Sequence, residues 1–509
     1  MTSNELSSEL SPDANWGPGY RHEIQFLRNG RLVTVTGFPP STTVLDYLRE
    51  SSRETGTKEG CGEGDCGACT VVIGAVKNGR IQYRAVNACI LLLGSLDGKH
   101  LITVEDLAQG GELHPVQQAL VKHHGSQCGF CTPGFVMALF ALAHQTDRPP
   151  LTRQKITDAI AGNLCRCTGY RSIVDAAFEA CENSLPDFLD QRREEYVSLL
   201  SSISATEHVI IGDRSRLFAA PANEDELASL YQRFPSATLV SGATDVGLWI
   251  TKQMRDIEQV IHLGRVSDFD RCVESEAEVT IGAGCSYADA HAVLTNLDPD
   301  IGELVRRIGS DQIRNAGTVG GNIANGSPIG DMPPVLIALG AEIELRAGDR
   351  IRTLKLEDFF IDYGVQNRSE GEFIRLVRIA KPAEDSVFRC YKIAKRFDQD
   401  ISSVLGAFHF RIADRVIRDA RIAYGGMAAT PRRAVACERA LADVALDDPA
   451  TWQTAMDAIG KDFEPLTDHR ASSAYRMRVA QSLLEKALIE IADENSATRL
   501  IGLREVVNV

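Results

Sequence analysis

Cys61-Gly-Glu-Gly-Asp-Cys66-Gly-Ala-Cys69, followed at a distance by Cys89, places four thiols at the C-x4-C-x2-C…C spacing that wraps a [2Fe–2S] cluster of the plant type. Gly62, Gly64 and Gly67 interleave these thiols. Lacking a Cβ, they let a tight loop take left-handed angles and bring backbone N–H groups close to anionic sulfur. The flanks predict the elements around the loop. Residues 22–28 and 32–36 read as strands about the two-residue turn Asn29-Gly30. Thr43 caps a short helix through Val44, Leu45, Tyr47 and Leu48, and a second hairpin turns at Asn78-Gly79 before a strand carrying Cys89.

A second foursome follows, in Gln127-Cys128-Gly129-Phe130-Cys131-Thr132-Pro133-Gly134 and then Cys165-Arg166-Cys167-Thr168-Gly169-Tyr170, so eight of the 13 cysteines fall in two sets of four between Cys61 and Cys167. Thr132 is a natural N-cap with Pro133 at the first helical position, and Phe135, Val136, Leu139, Phe140 and Leu142 repeat at helical spacing. Thr152 opens a helix through Ile156, Ala159 and Ile160 that ends at Gly162, which leaves Cys165 and Cys167 in a turn before a third helix near residue 172. Helix starts carry positive partial charge and suit a centre with four thiolates. Alone, C-x2-C plus C-x-C admits any metal; beside the first motif it points to a second [2Fe–2S] centre. A structural zinc site is the alternative, but zinc ribbons pair two C-x2-C knuckles and need no C-x4-C step with glycines. A disulfide framework is disfavoured in so long a chain without a leader pattern, and Cys181, on the stripe Val174, Ala177, Phe178, reads as a buried free thiol. The order of hairpin, helix, cysteine loop and hairpin is that of a β-grasp ferredoxin.

The run CGEGDCGACT, then QCGFCTPG, then CRCTGY resembles the iron–sulfur half of the molybdenum hydroxylases, the family of xanthine dehydrogenase and aldehyde oxidase. The resemblance implies a flavin domain downstream, and two glycine-rich stretches answer it. Residues 237–247 read as a strand running into a loop, and residues 314–331 repeat the chemistry with more glycine and asparagine; neither is a Rossmann G-x-G-x-x-G turn. Matched to the vanillyl-alcohol-oxidase-like flavoprotein fold, they put Gly242, Ala243, Thr244 and Asp245 at one phosphate loop of FAD, with Leu239, Val240, Ser241 and Val246 beside it as cofactor-binding residues. Thr318, Val319, Gly320, Gly321 and Asn322 fall at the other, with Ser327 and Asp331 facing the rest of the cofactor. Asp331, ahead of Met332-Pro333-Pro334, is also a candidate helix N-cap. Ile308 falls where animal relatives carry an aromatic residue against the flavin ring, and Lys395 and Arg396 are either cations near the flavin or a surface pair.

The expected architecture is multi-domain α+β. It comprises a tail over 1–17, a β-grasp ferredoxin domain over 18–105, a four-helix-type [2Fe–2S] domain over 106–185 and a linker over 186–211 containing Leu185-Pro186 at its edge and Arg192-Arg193-Glu194-Glu195. An FAD-binding domain over 212–385 and a C-terminal α+β domain of the CO dehydrogenase flavoprotein type over 386–509 complete it. The last has strands near 404–412 and 417–424, then the turn Tyr424-Gly425-Gly426-Met427 and helices to the end. Hydrophobic residues make up 44% of the chain, enough for several cores. The net charge of −15 disfavours nucleic acid and anionic membranes as partners. The polar start and the absence of a long apolar run predict a cytoplasmic chain.

The resemblance implies an electron-transfer subunit whose molybdopterin and substrate site lie on a partner, in an α2β2 heterotetramer that oxidises hypoxanthine and xanthine to urate in purine catabolism. It places the Cys128 centre nearest molybdenum with Gln127 touching the pterin, the Cys61 centre between it and FAD, and NAD+ as acceptor. The small subunit of an aldehyde or other N-heterocycle hydroxylase is the alternative, and a non-catalytic redox-sensing protein without flavin is a third reading.

Overall fold

The computed structural model describes residues 16, 19–145, 150–182, 187–203, 205–493 and 495–499. Most of the expected tail and the Leu185-Pro186 pair lie outside the described residues. The chain divides into two compact units, Met1–Ser267 with Gly309–Gly317 and Asp268–Ile308 with Thr318–Val509. The span expected as one flavin domain is therefore shared between two units.

In the first unit a five-stranded sheet runs in the order Arg31–Val35, Ile24–Arg28, His100–Ile102, Thr70–Lys77, Arg80–Asn87. Its two hairpins turn where both central residues take positive φ, Asn29 and Gly30 at 47° and 71°, Asn78 and Gly79 at 51° and 73°. This is the backbone that matches the twist of flanking strands. Thr43 accepts from the Asp46 amide and Asp46 returns a bond to the Thr43 amide, a capping box that starts the helix Val44–Asp46. Four helices follow, Pro115–Lys122, Thr132–Ala143, Arg153–Ile160 and Arg171–Glu182. Every residue from Gly134 to Ala143 is buried, so the second helix is a central one, apolar all round rather than along one stripe. It shares one core with Leu27, Val72 and Ile102 of the sheet. Fully burying its Phe135 and Phe140 contributes about 2–3 kcal/mol each.

Residues 187–203, expected within a linker, form the helices Phe188–Gln191 and Arg193–Ser202. Leu189, Tyr196 and Leu200 join the same core, while Arg192 and Glu195 pair on the exposed face. A charged run there marks the wet side of a packed helix. A second sheet orders Tyr20–Arg21, His208–Gly212, Leu217–Ala220, Gln259–His262 and Thr238–Val240, the last three parallel. The helices Glu224–Arg233 and Val246–Thr251 lie on the connections.

The second unit has an antiparallel sheet in the order Cys272–Glu274, Glu278–Gly282, Phe373–Ala380, Glu342–Ala347, Arg350–Lys355. A further antiparallel sheet orders Ser386–Ile393, Val404–Ala413, Val416–Gly425 and Arg432–Arg433. Against it pack Val435–Leu441, Trp452–Asp462 and Ser473–Ala492, and the fully buried Tyr424 donates to the Ala480 carbonyl at 2.9 Å. No helix among the described residues is long and apolar enough to cross a membrane.

Candidate iron–sulfur and flavin sites

The first cysteine loop brings its four sulfurs together. Cys66 and Cys89 hydrogen-bond to the Cys61 sulfur, and Cys89 also reaches Cys69; these contacts hold the Cys61 thiol far below its ordinary value and push Cys66 and Cys89 up. The Glu63 and Cys66 amides donate to the Cys61 sulfur at 3.4 and 3.3 Å, and the Cys61 amide to the Cys66 sulfur at 3.2 Å. Glycine makes this possible: Gly62, Gly64 and Gly67 all take positive φ, 63°, 82° and 66°. A chain of sulfur contacts from Cys66 through Cys61 and Cys89 to Cys69, with amides aimed at sulfur, is a donor set whose chemistry fits cationic iron. Cys89 lies just past the strand Arg80–Asn87 rather than on it. Asn87, buried at the strand's end, donates to the Gly64 carbonyl at 2.8 Å and so ties loop to strand.

The second set also closes, in pairs. The Cys131 thiol makes a hydrogen bond with Cys165, and Cys167 with Cys128. Burial, then the Cys165 contact, pushes the Cys131 thiol up to about 12. Burial also raises Cys165, but the Thr168 hydroxyl and amide outweigh it and pull that thiol below its ordinary value. The Thr168 hydroxyl donates to the Cys165 sulfur at 3.2 Å. The helix begins at Thr132 itself with Cys131 in the cap position, so a candidate ligand, not Thr132, sits at the helix start. Gln127, Cys128 and Cys167 are exposed.

The two centres meet through backbone. The Leu164 amide, beside Cys165, donates to the Cys66 carbonyl at 3.0 Å. A Cβ on Gly67 would stand 2.3 Å from the Gly162 carbonyl oxygen, and one on Gly134 2.2 Å from the Gly67 oxygen. Asn163, fully buried, donates to Gly67 and Thr70, and Gln312 donates to Thr70 and Asn163.

The first glycine stretch lies in the same unit. After the strand Thr238–Val240, the loop passes through Ser241, Gly242, Ala243, Thr244 and Asp245 into the helix Val246–Thr251. Ala243 holds φ at 57°, a left-handed strain of about 1 kcal/mol typical of ligand loops. Gly242 serves packing: its Cβ would overlap the Ala316 carbonyl oxygen at 1.8 Å. The buried ring of His262, a residue with no sequence signal, hydrogen-bonds the Ser241 backbone and so braces the loop. The helix then runs to the first cysteine centre. Gly247 packs so closely that a Cβ would stand 2.6 Å from Ile90 Cβ, and Lys252 Nζ donates to the Cys61 carbonyl.

The second stretch belongs to the second unit. Thr318 caps the helix Val319–Asn325 by accepting from the Gly321 amide at 3.1 Å, and Gly326 ends it at φ 64°. Gly320 packs against Ala283, whereas Gly321 is exposed. Asn322 Oδ1 is buried without a hydrogen-bond partner among the described residues, an orphaned acceptor that fits a donor from a bound cofactor. Ser327 turns inward on its own loop, accepting from the Ile329 and Gly330 amides.

The N-cap reading of Asp331 is overturned: its side chain makes no cap bond to the helix Met332–Ala338. Its carboxylate instead accepts from Lys392 Nζ at 2.6 Å and from the Ser402 hydroxyl. Lys392, with a side chain only 2% exposed, is the buried cation that pattern reading missed, because on its strand it looks like one more alternating polar residue. Lys395 donates to the His469 carbonyl and Arg396 pairs with Asp400 on the surface, as a surface pair would. The Ile308 amide donates to the Val305 carbonyl at the end of the helix Pro299–Arg306.

Four family models match. They are a 2Fe-2S iron-sulfur cluster binding domain over 26–93, a [2Fe-2S] binding domain over 103–178, the FAD binding domain in molybdopterin dehydrogenase over 213–382, and the CO dehydrogenase flavoprotein C-terminal domain over 389–491. The chain is 32% identical over 538 residues to a xanthine dehydrogenase of Drosophila pseudoobscura pseudoobscura, covering 94% of this chain and 40% of that protein. A xanthine dehydrogenase of Emericella nidulans is 30% identical over 501 residues, covering 86% and 36%. The chain thus spans about two fifths of the length of these curated relatives. Among solved structures, a carbon monoxide dehydrogenase from Hydrogenophaga pseudoflava aligns with a TM-score of 0.51 at 26% identity over 54% of this chain and 96% of that one. With two [2Fe–2S] domains, an FAD-binding domain and the flavoprotein C-terminal domain in this order, the chain belongs to the molybdenum hydroxylase family and constitutes an iron–sulfur and flavin part of it.

Proposed function

We propose that this chain is the electron-carrying component of a molybdenum-dependent xanthine dehydrogenase, working in the cytoplasm with a molybdopterin-bearing partner in an α2β2 assembly. It serves the oxidation of hypoxanthine and xanthine to urate, with NAD+ as final acceptor. The observation that carries the reading is the continuous path inside the first unit. The Cys165 turn bonds through Leu164 to Cys66, and the helix that leaves the Gly242–Asp245 loop packs through Gly247 on Ile90, next to Cys89. The relatives named xanthine dehydrogenase support the substrate.

A [2Fe–2S] centre passes electrons singly, and FAD gathers two of them for hydride transfer to nicotinamide. The chain's residues position these groups. Cys61, Cys66, Cys69 and Cys89 hold one centre and Cys128, Cys131, Cys165 and Cys167 the other. The Glu63 and Cys66 amides stabilise negative charge on the Cys61 sulfur, and the Thr168 hydroxyl does so on Cys165. Gln127 contacts the pterin from the exposed second centre. Beside it Phe130 and Leu164, 50% and 47% exposed, offer apolar surface for the partner to cover. Residues of the Leu239–Val246 loop in the first unit and Thr318 to Asn322 in the second would each contribute contacts to FAD.

The assembled complex with its molybdopterin partner tests this. About four irons and one FAD per chain are expected, with NAD+ reduction on adding xanthine. Cys61→Ser should leave the second centre reducible by xanthine while FAD stays oxidised. Loss of reduction at the second centre in an otherwise assembled Cys61→Ser complex, or turnover of aldehydes but not of xanthine, would overturn the proposal.

A further inference from the structure

Two cysteines in the second unit take no part in either metal centre yet lie sulfur to sulfur. Cys272 opens the strand Cys272–Glu274, which pairs with Glu278–Gly282, and Cys285 follows that partner strand. The chain continues its pairing past Gly282, whose amide donates to the Arg271 carbonyl while the Gly284 amide donates to that of Phe269, both at 2.8 Å. Only glycine allows so close an approach, since a Cβ on Gly282 would stand 2.4 Å from the Phe269 oxygen. The outcome is a Cys272 to Cys285 sulfur separation of 2.7 Å, closer than two unbonded sulfurs rest. Cys272 is partly exposed and Cys285 fully buried.

We propose that Cys272 and Cys285 form a reversible dithiol–disulfide couple, with Cys272 the accessible thiol that attacks a hydroperoxide and Cys285 the resolving one. The Cys272 thiolate takes the distal oxygen of hydrogen peroxide, breaking the O–O bond and releasing hydroxide, and becomes a sulfenic acid. The Cys285 sulfur then displaces the sulfenic oxygen, which leaves as a second water once both thiol protons are accounted for. Two S–H bonds are lost, one S–S bond forms, and peroxide carries off the two electrons. The linkage would fasten a segment with a defined load. The Cys285 carbonyl accepts from the Val319 amide and the Ala283 carbonyl from the Gly320 amide, each at 3.0 Å, so this backbone carries the first turn of the helix Val319–Asn325.

The sequence supplies a clean assay, because no Lys or Arg lies between Arg271 and Arg306 and one tryptic peptide holds both cysteines. The whole chain, loaded with its cofactors, is treated with hydrogen peroxide, denatured without reductant, alkylated with iodoacetamide and digested. The peptide Cys272–Arg306 should take no alkyl group, and two after dithiothreitol. In Cys272→Ser the remaining Cys285 should stay alkylatable, as should Cys437, a single buried thiol of the same unit. Two alkyl groups on that peptide after peroxide, or Cys285 oxidised equally in Cys272→Ser, would overturn the proposal.

Discussion

Replacing Lys392 with Met keeps the length of the side chain and removes its charge, leaving the buried Asp331 carboxylate with the Ser402 hydroxyl as its remaining side-chain donor among the described residues. Removing one partner of a buried ion pair costs about 3–5 kcal/mol, mostly the penalty of the orphaned charge. Because Ser402 still donates to Asp331, we expect the lower end, about 3 kcal/mol. In a unit of roughly 230 residues each kcal/mol lowers Tm by about 2–4 °C, so the transition of the second unit should fall by about 6–12 °C. Asp331→Asn combined with Lys392→Met removes both charges and should recover at least half of that loss. Calorimetry at fixed excess FAD, so that ligand linkage is constant, reads all four corners of the cycle. A single substitution that lowers Tm by less than about 2 °C, or a double variant no more stable than Lys392→Met, would refute the reasoning that this pair is a buried, mutually dependent unit.

Two further outcomes follow from the first unit. Gly67→Ala puts a Cβ 2.3 Å from a backbone oxygen at φ 66°, whereas Gly79→Ala, at φ 73°, meets nothing within 4 Å. The second should cost about 1 kcal/mol and the first should empty the Cys61 centre, halving iron per chain; equal iron in the two variants would contradict this. His100 and His262 are each pushed down to about 3 by burial, helped by the Arg192 charge at His100 and Lys99 at His262. Both are neutral in the fold and take up a proton on unfolding, so their contribution is complete above the unfolded value near 6.5 and is lost as pH falls toward 3. Between pH 6 and 5 each adds a slope of about 1.4 kcal/mol per pH unit. Unfolding free energy measured across that interval should fall by about 2–3 kcal/mol, and a flat profile would contradict the burial of neutral rings.

Much was legible in the sequence because it rests on contacts between near neighbours in the chain. Asn-Gly turns, the Thr43 and Thr152 caps and the three glycines of the Cys61 loop each act within a few residues of themselves, so type and spacing announced them. The same locality explains where pattern reading stopped. A charged run looked like a linker because sequence shows the wet face of the 193–202 helix and not the core that Tyr196 and Leu200 enter. Asp331 looked like a cap because its true partner, Lys392, stands on a strand 61 residues away.

Sequence by itself determined that this protein has two four-thiol centres and a flavoprotein module, since ligand spacing and glycine placement are properties of short segments. Only tertiary structure decided that Leu164 bonds Cys66, that Gly247 seats the loop helix beside Cys89, and that Cys272 meets Cys285. Each of these depends on close approach of backbones that different strands and helices supply, and such approach is settled by how whole elements pack and not by any one segment's preference.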